Sequence, residues 1–318
     1  MTHADAVVVG SGVVGLTTAI SLAEAGLSTR IVTAGLGEDT ASAAAGAIWG
    51  PVRCGPPDRT YSWSATGLKV LSDLAGEPKA GIAQVSGIEV AAEEAAPEAW
   101  LNLVPGTRML GPGELPPGMS SGWRYTAPVV TMPVYLEYLR ARYEALGGSI
   151  EVAPVTSLAD VPGGSPVVVN CTGIGARDLV PDPAVYPVRG QVVVVENPGV
   201  GEFYIDHTLH GFDYVYIFPH NEVVLLGGTA EEGAWDRSPR PDVAERIVAD
   251  CTRVDPRLRR ARVVAERVGL RPCRDEVRLE AEHLDGGRVL WHNYGHGGGG
   301  VTLSWGCAAE ITEAVLAA

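Results

Sequence analysis

Residues 6–16 read AVVVGSGVVGL, and this stretch decides how the chain begins to fold. A short apolar run is followed by Gly10, Gly12 and Gly15 in the spacing G-x-G-x-x-G, and then by an Ala/Leu-rich stretch with helical periodicity through Glu24. Strand, tight turn and helix form the context that the dinucleotide-binding fingerprint requires, because its glycines let the backbone approach a pyrophosphate at the positive end of the helix. The sequence therefore predicts a Rossmann-like βαβ unit.

The second strand of this unit, residues 30–32 (RIV), is not followed by the acidic residue that ordinarily binds the adenosine ribose. The chain there reads Thr33-Ala34-Gly35. Either Thr33 or backbone alone makes this contact, or Glu38 or Asp39 reaches back to it.

Composition excludes several classes of protein. The chain has 318 residues and a formal net charge of −14, which argues against a nucleic-acid partner. No segment reaches the ~18 uninterrupted apolar residues of a membrane span, and the start lacks the basic region of a signal peptide, so we expect a cytoplasmic protein with no membrane partner. Five widely spaced cysteines without a CxxC pair predict reduced thiols and no metal site.

The pattern along the chain changes from alternating helices and strands to a series of strands. Residues 165–177 (SPVVVNCTGIGAR) predict a second pass of a parallel sheet, and residues 39–51 (DTASAAAGAIWGP) are either a linker or backbone lining a flat ring. The antiparallel strands are predicted at 189–196, 212–219 and 222–229, the last two joined as a hairpin at His220-Asn221, with a further strand at 261–272. Helices are predicted over 132–147, 241–254 and 302–318.

Four motifs together carry a resemblance to a known family. They are GSGVVGL at 10–16, YVYIFP at 214–219, VGLRPCRDEVRLE at 268–280 and HNYGHGGGGVTLSWGCA at 292–308. In this order and spacing the chain closely resembles the D-amino acid oxidase family of FAD enzymes, from the first strand to the last helix. NCTG at 170–173 and RGQ at 189–191 fit the same pattern.

The resemblance implies a mixed α/β (α+β) fold in which a Rossmann-like FAD-binding domain is joined to a second, substrate-binding domain built on a largely antiparallel sheet. The FAD-binding domain is expected to be discontinuous and to comprise residues 1–50, 132–182 and 276–318. Residues 51–131 and 183–275 are expected to form the substrate-binding domain.

The resemblance also assigns site residues and FAD as the cofactor. Arg271 matches the family's carboxylate-binding arginine, whose planar fork holds a carboxylate by two parallel charge-assisted bonds. Tyr216 matches the tyrosine whose hydroxyl contacts the same carboxylate, and a backbone carbonyl near Gly298 is expected to accept from the substrate amine. These three are the predicted catalytic residues. The predicted cofactor-binding residues are Gly10, Gly12, Val13, Val14, Gly15, Thr33, Ala45, Gly46, Gly297, Gly298, Gly300, Val301 and Thr302.

Several neighbouring residues are assigned ordinary roles. His292 and His296 are expected to be structural, because the family transfers the α-hydrogen as hydride and needs no strong side-chain base at the carbon. Arg274 and Arg278 are expected to be solvated charges or members of ion pairs. The helix that begins at about Thr302 is expected to direct its positive end at the flavin.

The substrate side-chain pocket departs from the family pattern at one position. Phe212 stands where the animal enzymes carry the tyrosine of an active-site lid, which puts a lid of that kind in doubt. No Arg or Lys occurs between Tyr204 and Pro219, so the cation that a D-aspartate oxidase requires is missing unless His207 or His210 replaces it. Neutral D-amino acids are therefore the expected substrates.

The implied reaction is oxidative deamination of a D-amino acid by hydride transfer from Cα to flavin N5, with oxygen as the acceptor, giving a 2-oxo acid, ammonia and hydrogen peroxide. Positioning and charge stabilisation are expected to supply most of the rate. The expected partners are the D-amino acid, oxygen and a second copy of the chain in a homodimer. Alternatives are a D-aspartate oxidase, a glycine or sarcosine oxidase, a nicotinamide-dependent dehydrogenase and a flavin-binding subunit without oxidase activity.

Overall fold

The computed structural model describes residues 4–51, 55–158, 161, 164–210 and 213–318. The predicted mixed α/β fold is confirmed. The strands are β1 (Ala6–Val9), β2 (Thr29–Thr33), β3 (Ile82–Ala91), β4 (Arg108–Met109), β5 (Ser121–Val130), β6 (Ser149–Val152), β7 (Val167–Asn170), β8 (Tyr186–Glu196), β9 (Phe203–His210), β10 (Asp213–His220), β11 (Val223–Thr229), β12 (Glu231–Glu232), β13 (Val263–His283) and β14 (Val289–His296). The helices are α1 (Val13–Glu24), α2 (Pro57–Leu74), α3 (Met132–Ala145), α4 (Ala176–Leu179), α5 (Pro241–Val254) and α6 (Gly300–Ala317).

A parallel part of the sheet has the order β6–β2–β1–β7–β14. The predicted second pass of the chain is confirmed as β7, which pairs with β1 in parallel. Every residue of β1 is buried, as expected of an apolar strand with other strands on both sides and helices over its faces. Since these strands run the same way, their carboxyl ends meet at one edge, where open α/β sheets bind ligands.

Close helix packing positions α6 over this part of the sheet. A Cβ at Gly67 in α2 would lie 1.9 Å from the carbonyl oxygen of Thr302 in α6, and a Cβ at Gly306 in α6 would lie 2.3 Å from Cα of Trp63 in α2. The two backbones therefore touch at their crossing, and glycine is the only residue that permits this approach. The contact fixes where α6 begins.

An antiparallel part of the sheet continues from β14 in the order β13–β8–β11–β10–β9–β3–β5–β4, with a parallel pair only between β9 and β3. The predicted hairpin of β10 and β11 is confirmed, and Asn221 in its turn has a φ of 55°. The strand predicted at 261–272 is longer than expected and continues as β13 to His283. It pairs first with β8 and then with β14, so it joins the two parts of the sheet.

The two faces of the antiparallel part have different neighbours. One face packs its apolar side chains against α5. The other face belongs to the main core of the protein, which also includes side chains of α1 and α6. Tyr216 on β10 packs with this main core, whereas Ile217 beside it packs with the α5 cluster. The side chain of Tyr216 therefore points into the space between the antiparallel sheet and the parallel part.

Among the described residues, no helix is long and apolar enough to cross a membrane. The same residues contain no group of three or more His, Cys, Asp or Glu side chains arranged to hold a metal ion.

Candidate active site

The G-x-G-x-x-G turn is shaped by backbone contacts that exclude side chains. A Cβ at Gly10, where φ is 109°, would lie 2.5 Å from the carbonyl oxygen of Cys171 at the end of β7. A Cβ at Gly15 would lie 2.0 Å from the carbonyl oxygen of Gly10 itself. Both glycines are required so that β1, α1 and β7 come together at the carboxyl edge of the parallel strands.

The amino end of α1 faces this edge with unsatisfied backbone donors. The first intrahelical bond runs from the N–H of Leu16 to the carbonyl of Gly12, so the N–H groups of Val14 and Gly15 have no acceptor within the helix. The N–H of Val13 donates to Oγ of Ser42 at 3.0 Å. Ser42 was not predicted as a site residue, because it lies 29 positions away in a run of small residues.

A second helix amino end lies beside the first. Helix α6 begins at Gly300, two residues earlier than predicted, with the N–H of Leu303 donating to the carbonyl of Gly299. A Cβ at Gly300 would lie 4.0 Å from Cγ1 of Val13 at the start of α1. Each helix end carries about half a positive elementary charge. Two such ends with open N–H groups fit the anionic groups of a dinucleotide such as FAD.

The hydroxyls of two predicted cofactor-binding residues, Thr33 and Thr302, form hydrogen bonds with backbone groups of the protein. Thr33 Oγ1 donates to the carbonyl of Gly35 at 2.8 Å and lies 3.0 Å from Ser11 Oγ, which bonds the same carbonyl. Thr302 Oγ1 accepts from the N–H of Gly50 and donates to its carbonyl, both at 3.0 Å. Thr302 Oγ1 therefore both donates and accepts within the chain, whereas Thr33 Oγ1 has used its proton and can still accept a hydrogen bond.

The run of small residues after the βαβ unit is an ordered wall of the site. A Cβ at Gly46 would lie 3.0 Å from Leu225 Cδ2, so this backbone packs directly on the antiparallel sheet. The N–H of Val130 donates to the carbonyl of Ala47 at 2.7 Å, and the N–H of Trp49 donates to that of Pro128 at 2.8 Å. These bonds to the end of β5 favour backbone that lines a ligand over a linker. Ala45, also predicted to bind the cofactor, packs in the same wall.

The two predicted carboxylate-binding side chains come from strands β10 and β13, with β11 and β8 between them. A Cβ at Gly227 on β11 would lie 1.8 Å from Tyr216 Cζ, and a Cβ at Gly190 on β8 would lie 2.4 Å from Arg271 Nη1. Both long side chains therefore lie flat over glycines of the intervening strands. A Cβ at Gly228 would also approach the Tyr216 hydroxyl, to 2.8 Å. We call Gly190, Gly227 and Gly228 the glycine floor.

The electrostatics of this pair suit a substrate carboxylate. Arg271 Nη1 donates to the carbonyl of Thr229 at 3.0 Å, which orients the guanidinium. Burial raises the pKa of Tyr216, and the nearby charge of Arg271 opposes this shift. The phenol is therefore neutral near pH 7 and acts as a hydrogen-bond donor beside the guanidinium.

The glycine turn (residues 297–299) adjoins this pair. The N–H of Gly297, where φ is 52°, donates to the carbonyl of Pro272 at 2.9 Å, directly after Arg271. This bond holds Gly298 next to the strand that carries the arginine. The structure thus brings the three predicted catalytic residues to the edge where α1 and α6 begin.

Sequence reasoning did not identify the glycine floor, although its signals were present. Gly190 belongs to the RGQ motif and the other two glycines to the LLGGT end of β11. Nothing local distinguishes these glycines from turn residues, because their role depends on the order of four strands. Their proximity to Tyr216 and Arg271 appears only in the folded sheet.

The histidines of the glycine-rich motif are buried. His292 is 0% and His296 is 3% exposed. Burial lowers the pKa of His292, and it lowers the pKa of His296 to about 4. Both are therefore neutral near pH 7, which agrees with the structural role expected from the sequence.

Arg274 and Arg278 form ion pairs and hydrogen bonds away from the glycine floor. Arg274 Nε donates to Asp182 Oδ2 at 3.2 Å, and Arg278 Nη1 donates to the Tyr294 hydroxyl at 2.7 Å. Tyr294 in turn donates to Asp182 at 2.8 Å. This network holds β13 and β14 to the segment after β7.

Of the residues expected near the substrate side chain, Phe212 and the side chain of His210 lie outside the described residues. His207 on β9 is described, and its Nε2 atom lies 2.6 Å from Glu89 Oε1. His207 is therefore already paired with a carboxylate of the protein.

Comparison with known proteins finds relatives that match nearly the whole chain. The family described as FAD dependent oxidoreductase matches residues 5–314. The D-amino-acid oxidase of Rubrobacter xylanophilus is 47% identical over 316 residues, which cover 99% of this chain and 97% of the relative. The D-amino-acid oxidase of Streptomyces coelicolor is 46% identical over 313 residues, which cover 97% of this chain and 96% of the relative.

Solved structures show the same fold at low sequence identity. Glycine oxidase from Geobacillus kaustophilus has a TM-score of 0.81 at 22% identity, covering 99% of this chain and 95% of its own. Glycine oxidase from Bacillus cereus has a TM-score of 0.80 at 19% identity, with the same coverage of both chains. The resemblance recognised in the sequence is therefore confirmed, and the chain belongs to the D-amino acid oxidase family of FAD-dependent oxidoreductases.

Proposed function

We propose that the protein is a D-amino acid oxidase that converts neutral D-amino acids to 2-oxo acids, ammonia and hydrogen peroxide. The observation that carries this proposal is the approach of Arg271 and Tyr216 over the glycine floor, beside the glycine turn. Near-full-length identity of 46–47% with proteins named D-amino-acid oxidase supports it.

The α-carboxylate of the substrate is held between Arg271 and Tyr216. The guanidinium supplies parallel charge-assisted N–H donors, and its bond to the Thr229 carbonyl keeps it from turning away. The neutral phenol of Tyr216 adds a third donor from the other side. These contacts fix one end of the amino acid and exclude water from its carboxylate.

The amine of the substrate is held by a backbone carbonyl near Gly298. Because the N–H of Gly297 is bonded to Pro272, the amine contact and the carboxylate contact are fixed relative to each other. When the carboxylate and the amine are both held, the two enantiomers differ in that the hydrogen and the side chain of the α-carbon exchange places. Which enantiomer reacts also depends on the side of the substrate on which the flavin ring lies, and we propose D-amino acids because the chain is 46–47% identical to proteins named D-amino-acid oxidase.

FAD, when bound, supplies the two-electron acceptor for the α-hydrogen. The residues that we propose to hold it are backbone groups at the starts of α1 and α6, in the wall around Gly46 and in the glycine turn. The positive ends of the two helices stabilise negative charge on the cofactor.

We also propose oxygen as the final electron acceptor, a homodimeric assembly and a cytoplasmic location. The division into a discontinuous FAD-binding domain (1–50, 132–182 and 276–318) and a substrate-binding domain (51–131 and 183–275) belongs to the same proposal. Its boundary at residue 275 falls within β13, which pairs with strands of both parts of the sheet. Analytical ultracentrifugation measures the assembly, and limited proteolysis maps the domains.

The deciding experiment is visible absorption of the purified protein supplied with FAD, before and after anaerobic addition of D-alanine and then of L-alanine. We expect bleaching by D-alanine alone and recovery in air with release of peroxide. Bleaching by L-alanine alone, or by glycine or D-aspartate but no neutral D-amino acid, contradicts the proposal.

The Arg271→Ala variant tests the carboxylate contact in the same assay. We expect it to take up FAD and yet lose turnover by several orders of magnitude, since the anchor of the reacting carbon is gone. Turnover close to that of the parent protein removes Arg271 from the site.

A further inference from the structure

The active-site face of the antiparallel sheet carries a buried acid that the proposed reaction does not use. Glu89 on β3 is only 5% exposed. The Tyr125 hydroxyl donates to its Oε2 atom at 2.6 Å, and His207 Nε2 lies 2.6 Å from its Oε1 atom. Both carboxylate oxygens therefore have partners, and the pair with His207 links two neighbouring strands.

Strand register places Glu89 and Tyr216 in one row of residues that are paired from strand to strand across the sheet. Glu89 pairs with Ile205, Ile205 pairs with Tyr216, and Tyr216 pairs with Gly227. Directly paired residues face the same side of a sheet, and adjacent strands lie ~4.8 Å apart. The Cα atoms of Glu89 and Tyr216 are thus about 10 Å apart, with only Ile205 between them.

The ring of Tyr216 does not cover the residues that lie between it and Glu89. The ring of Tyr216 lies over Gly227, which is on the side away from β9. His207, two residues after Ile205, faces the same side, and its side chain is 39% exposed. A substrate side chain that extends in this direction from a carboxylate bound at Arg271 and Tyr216 would pass over Ile205 toward His207 and Glu89.

The charges around His207 do not favour a second carboxylate. Its hydrogen bond to Glu89, with Asp206 and Glu98 nearby, raises the pKa of His207. The histidine therefore already serves as the counter-charge of protein carboxylates. A substrate with an acidic side chain would bring a further negative charge to a place where His207 is already paired with a carboxylate.

We infer that Glu89 is a specificity-determining residue of the side-chain pocket. It pairs with His207, so that the histidine does not neutralise an acidic substrate. Among side chains of similar size, its charge disfavours one that ends in a carboxylate relative to one that ends in a hydrogen-bond donor or a cation. This inference rests on the proposed oxidase function. It concerns the substrate side chain and not the reacting carbon.

The test compares kcat/KM of the holoenzyme for substrates that are similar in size and differ in charge. D-Glutamate is paired with D-glutamine, and D-lysine with D-norleucine. We expect Glu89→Gln to raise the glutamate-to-glutamine ratio and to lower the lysine-to-norleucine ratio, each by about tenfold, as for one carboxylate acting at a distance of several ångströms in a partly solvated site. The control is Glu202→Gln, which removes a surface carboxylate paired with Arg124 and should leave both ratios unchanged.

A second variant leaves Glu89 in place, so its result does not depend on whether Glu89→Gln disturbs the fold. His207→Gln removes the counter-charge of Glu89 and should raise the lysine-to-norleucine ratio, the opposite of the effect of Glu89→Gln. Ratios within twofold of the parent values in both variants, with cooperative unfolding retained, overturn the inference. A parent enzyme that oxidises no D-amino acid overturns the proposed function instead, so the two failures are distinguishable.

Discussion

Replacing Gly190 with alanine tests whether the glycine floor positions the carboxylate-binding arginine. The added Cβ would lie 2.4 Å from Arg271 Nη1 and 2.6 Å from its Cζ, whereas ordinary van der Waals contact begins at 3.4 Å. The guanidinium must therefore withdraw by about 1 Å, because it is the far end of a flexible side chain and the strand beneath it is held by hydrogen bonds on both edges.

The size of the effect follows from this displacement. A misplacement of about 1 Å at a substrate-positioning group lowers catalysis by roughly 10²-fold. This corresponds to about 2.7 kcal/mol of transition-state stabilisation. We expect stability to change far less, within about 1 kcal/mol, because a mobile side chain and not packed backbone gives way.

The assay is kcat/KM for D-alanine in Gly190→Ala, Arg271→Ala and the double variant, with Gly201→Ala as the control because a Cβ there meets nothing within 4 Å. If Gly190 acts through Arg271, the second substitution adds little once the arginine is gone. A single variant with parental kcat/KM, or a double variant in which the two losses multiply fully, refutes the reasoning.

Three further predictions concern other contacts of the site. Tyr216→Phe should lower kcat/KM for D-alanine by roughly 10–100-fold without loss of FAD uptake, since one hydrogen bond to a charged group is removed. Steady-state kinetics and a flavin titration measure the two quantities, and an unchanged kcat/KM contradicts the prediction. Thr302→Val should lower the free energy of unfolding by about 1–3 kcal/mol, because the buried N–H and carbonyl of Gly50 lose their partner; urea unfolding at parental stability would contradict this. The free energy of unfolding should fall as pH decreases from about 6.5 to 4, because burial lowers the pKa of His296 to about 4 in the folded protein and the unfolded chain therefore takes up the proton first. His296→Gln should reduce this loss by up to roughly 3 kcal/mol, as measured by urea titrations across this pH range. An unchanged pH dependence in the variant would contradict the prediction.

Local sequence alone determined the family and several of the elements, whereas α2, β3, β5 and β9 were not predicted from it. The apolar run before Gly10 and the periodic stretch after Gly15 are confirmed as β1 and α1, and the helix predicted over 241–254 has those bounds in the structure. Such patterns are readable because side-chain burial repeats every two or 3.6 residues within one element. Helix ends are less readable, and α6 begins two residues before its predicted start.

Tertiary structure decided how these residues meet. Gly190 lies beneath Arg271, and Ser42 reaches the start of α1, only because distant segments are brought side by side. Glu89 faces the row of Tyr216 only because β9 pairs in parallel with β3 and in antiparallel with β10. A shift of one residue in either register would turn Glu89 to the opposite face, since side chains alternate along a strand. Strand order and register depend on packing across the whole sheet, and no local pattern specifies them.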